Sequence, residues 1–129
     1  MPTVFAGDFN TEPCNNLFNL MSGQPFDKTL IPKQVKERHH ELYGIEKVLT
    51  DLSTFPKFTS AYANYENGAH PKFSSYKYDS VKMIDHIFVT EHFKVCSLLQ
   101  MPVSGLRPAL PNSNFPSDHL RIEAVIEFN

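Results

Sequence analysis

The chain has 129 residues, 41% of them apolar and 20% charged, with a formal net charge of -2, the size and balance of one globular domain able to bury a core. This excludes disordered and collagen-like classes, and no apolar run approaches the ~18 to 20 residues that a membrane-spanning helix needs. The charge argues against a broad basic surface for gripping nucleic acid, while leaving room for a locally basic cleft.

The chain opens on a short apolar run, Val4-Phe5-Ala6, that leads into Gly7-Asp8-Phe9-Asn10. On a strand, residues two apart share a face, so Asp8 and Asn10 are expected to project together, with Gly7 permitting a tight turn or a close ligand. The plainer reading is a strand followed by an Asx turn. Thr11 is placed as a helix cap, with Glu12 and Pro13 in the first turn. Cys14, Leu17, Phe18 and Met21 then have the spacing of one buried helical face that ends at Gly23.

Residues 24–43 are broken by Pro25 and Pro32 and densely charged from Lys33 to Glu41. They read as a surface insertion with one solvated helix at most. Ile45 to Leu52 fits a short helix or a strand. From Phe55 the chain is rich in aromatic and hydroxyl residues with turn signals, which predicts loops and short β structure. Tyr62, Tyr65, Phe73, Tyr76 and Tyr78 are candidates to stack on bases, and equally candidates for the core.

Three strands are predicted next: Val81 to Thr90, Phe93 to Met101 and Leu120 to Phe128. The first two are expected to form a hairpin across Thr90-Glu91-His92. The last alternates, with Leu120, Ile122, Ala124, Ile126 and Phe128 on one face and Arg121, Glu123, Val125 and Glu127 on the other. Between them, the proline-rich stretch 102–116 is expected to be an irregular loop over a pocket. Cys14 and Cys96 lie in no CxxC-like spacing and are expected to be free, buried thiols. With no signal-peptide layout at the N-terminus, an intracellular, cytoplasmic protein is expected.

Asp85 interrupts the apolar run Met83-Ile84-Asp85-His86-Ile87-Phe88, where an unpaired carboxylate would cost several kcal/mol. The candidate partner is His119, in Pro116-Ser117-Asp118-His119, because an Asp-His hydrogen bond fixes the imidazole tautomer. Carboxylates and a carboxamide at Asp8, Asn10 and Asp118 suit a hard cation such as Mg²⁺, and an Asp-His pair suits proton handling or phosphate contact. Together they point to hydrolysis of a phosphate ester. A serine triad built on Ser117 lacks a Gly-x-Ser-x-Gly elbow, and zinc lacks the usual Cys/His spacing.

In this order and with this separation, Gly7-Asp8-Phe9-Asn10, Ile84-Asp85-His86-Ile87 and Ser117-Asp118-His119 resemble the last three signature motifs of the endonuclease/exonuclease/phosphatase superfamily, the fold of deoxyribonuclease I. Ala109-Leu110-Pro111-Asn112, Phe115 to Leu120 and Phe58-Thr59-Ser60-Ala61-Tyr62 are similar to its deadenylase-type branch, which includes nocturnin, the angel proteins and 2′-phosphodiesterase. The resemblance implies an α/β (α+β) fold over residues 1–129: the C-terminal half of a four-layer α/β/β/α sandwich, with a mixed, mostly antiparallel sheet. It also implies Mg²⁺- or Mn²⁺-dependent phosphodiester hydrolysis on RNA. Asp8 would orient or deprotonate the attacking water, Asn10 would contact the phosphate and His119 would bind the scissile phosphate, with Asp85 behind it. Asp8, Asn10 and Asp118 would serve the metal.

Family domains run to about twice this length, in keeping with two stacked half-sheets, and their first half carries the principal metal-binding Glu, which no residue here matches. A weak or inactive fragment, with a partner segment supplying the missing half, is therefore expected. The family commonly has Tyr at the position of His86, and its deadenylases have a base-stacking Phe at that of Ser80. Two other readings stay open: a non-catalytic interaction module, and a hydrolase of small-molecule or lipid phosphate esters.

Overall fold

In a computed structural model, the residues described are 1–27, 56–104 and 108–129. The helix sought within 24–43 and the element over Ile45–Leu52 fall almost entirely outside them.

The centre of the fold is β5 (Asp85–Thr90), which pairs on one edge with β1 (Val4–Asp8) and on the other with β2 (Phe58–Ser60). Its β-branched and aromatic residues suit a strand covered on both faces, and Phe88 and Val89 are buried. Both pairings are antiparallel, and the β1 register sets Val4 opposite Val89 and Asp8 opposite Asp85. A second sheet joins β6 (Phe93–Leu98) to β7 (Ala124–Phe128), and a short hairpin joins β3 (Ser75–Tyr76) to β4 (Val81–Lys82). Every pairing among the described residues is antiparallel, and with one short helix the fold is of the expected α/β or α+β class.

The expected hairpin between β5 and β6 does not form. Both edges of β5 are already occupied, so after Glu91-His92 the chain crosses to the second sheet, where β6 pairs with β7. The two faces of β5 feed two clusters. Phe88 packs with Phe18 and Phe58, joined by Phe9 and Met21, while Ile87 packs against a cluster of Ala61, Tyr62 and Met101, which Val95 and Leu98 of β6, Ala124 of β7 and the preceding Leu120 and Ile122 also cover. Tyr62 is fully buried. Its hydroxyl lies 3.1 and 3.0 Å from the carbonyl oxygens of Leu99 and Glu123 and accepts the Glu123 N–H at 3.2 Å, tying the start of β7 to the end of β6.

The helix is shorter than expected. It is α1 (Asn16–Met21), with Asn15 at the N-cap, and Thr11 is a buried residue before it. Cys14 has φ +72°, a left-handed conformation that a right-handed helix cannot contain. Phe18 is buried and Met21 packs beside it as the spacing predicts, whereas Leu17 is exposed. Gly23, with φ +65°, takes up the left-handed conformation just past the helix end.

Both cysteines are free as expected, but they are exposed, not buried. Cys14 lies in the turn before α1, and Cys96 falls at the register shift between Val95 and Ser97, where a bulge turns a residue out of the ladder. The last strand is regular only from Ala124, although its alternation begins at Leu120, and Phe128 is exposed at 70% and stacked on Phe93. Among the described residues, no helix is long and apolar enough to cross a membrane.

Candidate active site

Strand β1 delivers Asp8 to the sheet end opposite Asp85. Regular pairing stops there, so strand alternation does not place Asn10 beside Asp8. Instead Asn10 adopts φ +49° and donates its backbone N–H to Asp8 Oδ1 at 2.8 Å, an Asx turn.

The expected pairing of Asp85 with His119 is present. His119 Nδ1 lies 2.8 Å from Asp85 Oδ2, and the same oxygen accepts the hydroxyl of Ser74 at 2.6 Å. Ser74 is fully buried, and its Oγ accepts the backbone N–H groups of Ile84 and Asp85 at 3.1 and 3.0 Å. One hydroxyl therefore fixes the start of β5 and the carboxylate it presents. Around His119 the chain crosses to β3: Leu120 N–H donates to Ser74 O, and Ser75 bridges His119. This second pairing explains why the regular part of β7 starts late. Ser117 accepts the His119 N–H at 3.0 Å, making it a turn residue.

The other imidazole nitrogen faces two carboxylates. His119 Nε2 is 4.0 Å from Asp8 Oδ2 and 3.9 Å from Asp118 Oδ2. Asp118 is itself paired with Lys77, whose Nζ lies 2.8 Å from Oδ2. The Lys77 ammonium holds the Asp118 carboxyl below its usual range, and Asp118 in turn raises Lys77. Replacing Lys77 by Met should let Asp118 titrate at higher pH than in the native chain; carboxyl ¹³C shifts across a pH series check this, and an unmoved Asp118 would refute the pairing in solution.

The structure thus gathers Asp8, Asp85, Asp118 and His119, with Asn10 on the adjoining turn. Sequence reasoning missed Ser74 and Lys77. Ser74 is one hydroxyl among several in Phe73-Ser74-Ser75-Tyr76, and Lys77 is a single cation between tyrosines, so only three-dimensional pairing singles them out. Of the aromatic residues proposed for base stacking, Tyr62 and Phe73 are core residues, because each has a closed packing niche. Tyr65 hydrogen-bonds to the Met101 backbone and Tyr76 packs on Phe73, whereas Tyr78 is 97% exposed.

Oxygen donors suit Mg²⁺, which takes six ligands and commonly keeps several waters. Yet Asp118 is committed to Lys77 and one Asp8 oxygen to the backbone. Among the described residues no group of three His, Cys, Asp or Glu side chains is placed to hold a metal ion. These residues do not form a metal centre by themselves.

In sequence comparison, no curated protein matches the chain. The profile of the Endonuclease/Exonuclease/phosphatase family matches residues 1–119, a span that holds the three motifs and every residue of the cluster around His119, and the chain belongs to that family.

Proposed function

We propose that the chain carries the phosphate-handling residues of a phosphodiester hydrolase acting on RNA, with the 3′-exonucleolytic, deadenylase-like mode that its motifs resemble. The family acts on phosphodiester substrates and is generally divalent-metal dependent. The observation that carries the reading is the Ser74-Asp85-His119 chain, which ends with Nε2 directed toward Asp8 and Asp118.

In this reading Asp85 fixes the ring so that Nδ1–H is donated backwards and Nε2 is presented to the substrate. When protonated, Nε2–H donates to a phosphoryl oxygen and offsets the charge that develops there. Asp8, held by the Asn10 N–H, orients a water whose oxygen forms the new bond to phosphorus and accepts its proton as the bond to the leaving oxygen breaks. Asn10 offers a carboxamide to the phosphate. Lys77 supplies a positive charge beside Asp118, which lowers the cost of bringing a phosphate between two carboxylates. If Mg²⁺ or Mn²⁺ binds, Asp8, Asn10 and Asp118 would offer part of its shell, Asp118 only on release from Lys77, and the ion would neutralise charge on the phosphoryl oxygens.

Hydrolysis of oligo(A), 2′,5′-linked oligonucleotide, NADPH and inositol phosphate, compared with Mg²⁺ present, tests the substrate class. Slow turnover of oligo(A) above the others is expected, together with Mg²⁺ binding no tighter than about 1 mM, as for ligand-poor oxygen sites. Hydrolysis of inositol phosphate alone would replace RNA as the substrate, and tight stoichiometric Mg²⁺ binding would contradict the partial shell. That the described residues hold no three-ligand group favours a second reading, a non-catalytic interaction module. Absence of turnover on all four substrates would select it.

A further inference from the structure

The turn that carries Asp8 and Asn10 is held from behind. Phe9 N–H donates to Ile84 O at 2.9 Å, Asn10 is left-handed, and Thr11 is buried. A non-glycine residue in that conformation persists where its surroundings over-determine it. On the inner side lies His86, opposite Gly7 in the β1–β5 ladder and fully buried, with Nε2 2.8 Å from the Thr11 carbonyl oxygen.

A carbonyl oxygen can only accept, so the proton of this imidazole sits on Nε2 and Nδ1 keeps a bare lone pair. Nδ1 is buried and has no hydrogen-bond partner among the described residues. The ring is surrounded by Phe9, Phe18, Phe88 and His70, with centroids 5.1 to 6.4 Å away. An aromatic niche of this kind would accept phenylalanine, which has no polar atom of its own but takes the donor away from the Thr11 carbonyl. What the imidazole adds is the N–H given to Thr11.

We propose that His86 is the positioning residue of this site: by donating Nε2–H to the Thr11 carbonyl it locks the Phe9–Thr11 turn, and with it the placement of Asp8 and Asn10. This rests on the reading of Asp8 and Asn10 as the water-orienting and phosphate-contacting groups. It makes His86 a side chain of β5 that acts on the Phe9–Thr11 turn, whereas its neighbour Asp85 acts on His119.

The test uses the full, ¹⁵N-labelled chain. In the native protein the His86 imidazole should show a protonated Nε2 and a bare Nδ1, and the Phe9–Thr11 amides should have order parameters of about 0.85. His86→Gln, which keeps an N–H at similar reach, should preserve them. His86→Phe should lower them below about 0.6 at Phe9–Thr11, with β5 unchanged. A native Nδ1–H tautomer, a rigid turn in folded His86→Phe, or a loose turn in folded His86→Gln overturns the proposal. Should His86→Phe not fold, the tautomer and the Gln variant still decide. These readouts need no turnover, so they are independent of the hydrolase reading. Lost turnover with an intact turn in His86→Phe would remove the positioning role and spare that reading.

Discussion

Replacing His119 with alanine is expected to lower phosphodiester turnover by about 10² to 10⁴-fold, the range set by loss of a positioned proton-handling or charge-stabilising group. The imidazole links both halves of the cluster, with Nδ1 on Asp85 and Nε2 toward Asp8 and Asp118. Its side chain is 27% exposed, so truncation opens the site to water without leaving a closed core cavity. Thermal stability should therefore change by less than the activity does. Asp85 keeps the Ser74 hydroxyl, so the variant does not strand an unpartnered carboxylate. The effect belongs in kcat if His119 acts on developing charge, and in KM if it only binds the ground state. Equal turnover by native chain and variant on oligo(A) would sink the mechanism.

How far the sequence revealed this site depends on which residues break a local pattern. Asp85 was legible because a carboxylate inside Met83-Ile84-Asp85-His86-Ile87 demands a partner, and His119 was the candidate that could fix it. The inward alternation from Leu120 was legible because hydrophobic period is a local property; β1 was legible as a short apolar run expected to be a buried strand, although all five of its residues are exposed. Pairing is not local. The β5–β6 hairpin failed because β1 and β2 compete for the edges of β5, and neither 5-residue nor 3-residue strand advertises that in its own composition. The start of α1 failed because Thr11 offers its carbonyl to a histidine 75 positions later, and Cys14 then turns left-handed. Ser74 and Lys77 were invisible for the same reason: their importance lies in partners 11 and 41 residues away. Cysteine as a residue type favours burial, but a surface turn exposes Cys14 and a bulge exposes Cys96.

Replacing Ser74 with alanine should destabilise the protein by about 3 kcal/mol, a large share of the roughly 5 to 15 kcal/mol that holds a domain together. The Ser74 hydroxyl makes three hydrogen bonds in a site with no solvent exposure. Removing it orphans the Ile84 and Asp85 N–H groups, each costing about 1 to 3 kcal/mol when buried and unpaired. It also leaves Asp85 with one fewer donor. Some of that cost is recovered if water reaches the start of β5, which is why the sum stays near the lower end. Urea unfolding should show a lower midpoint with an unchanged slope, since the loss lies in the native state. Threonine is no safe substitute, because its extra methyl has no space in a fully buried position. The link to chemistry is tested by a double-mutant cycle with His119→Ala. Both side chains act on the same oxygen, Asp85 Oδ2, so their effects on turnover should be non-additive by about 0.5 to 3 kcal/mol. Strict additivity would mean that Ser74 supports β5 alone and does not act on His119 through Asp85.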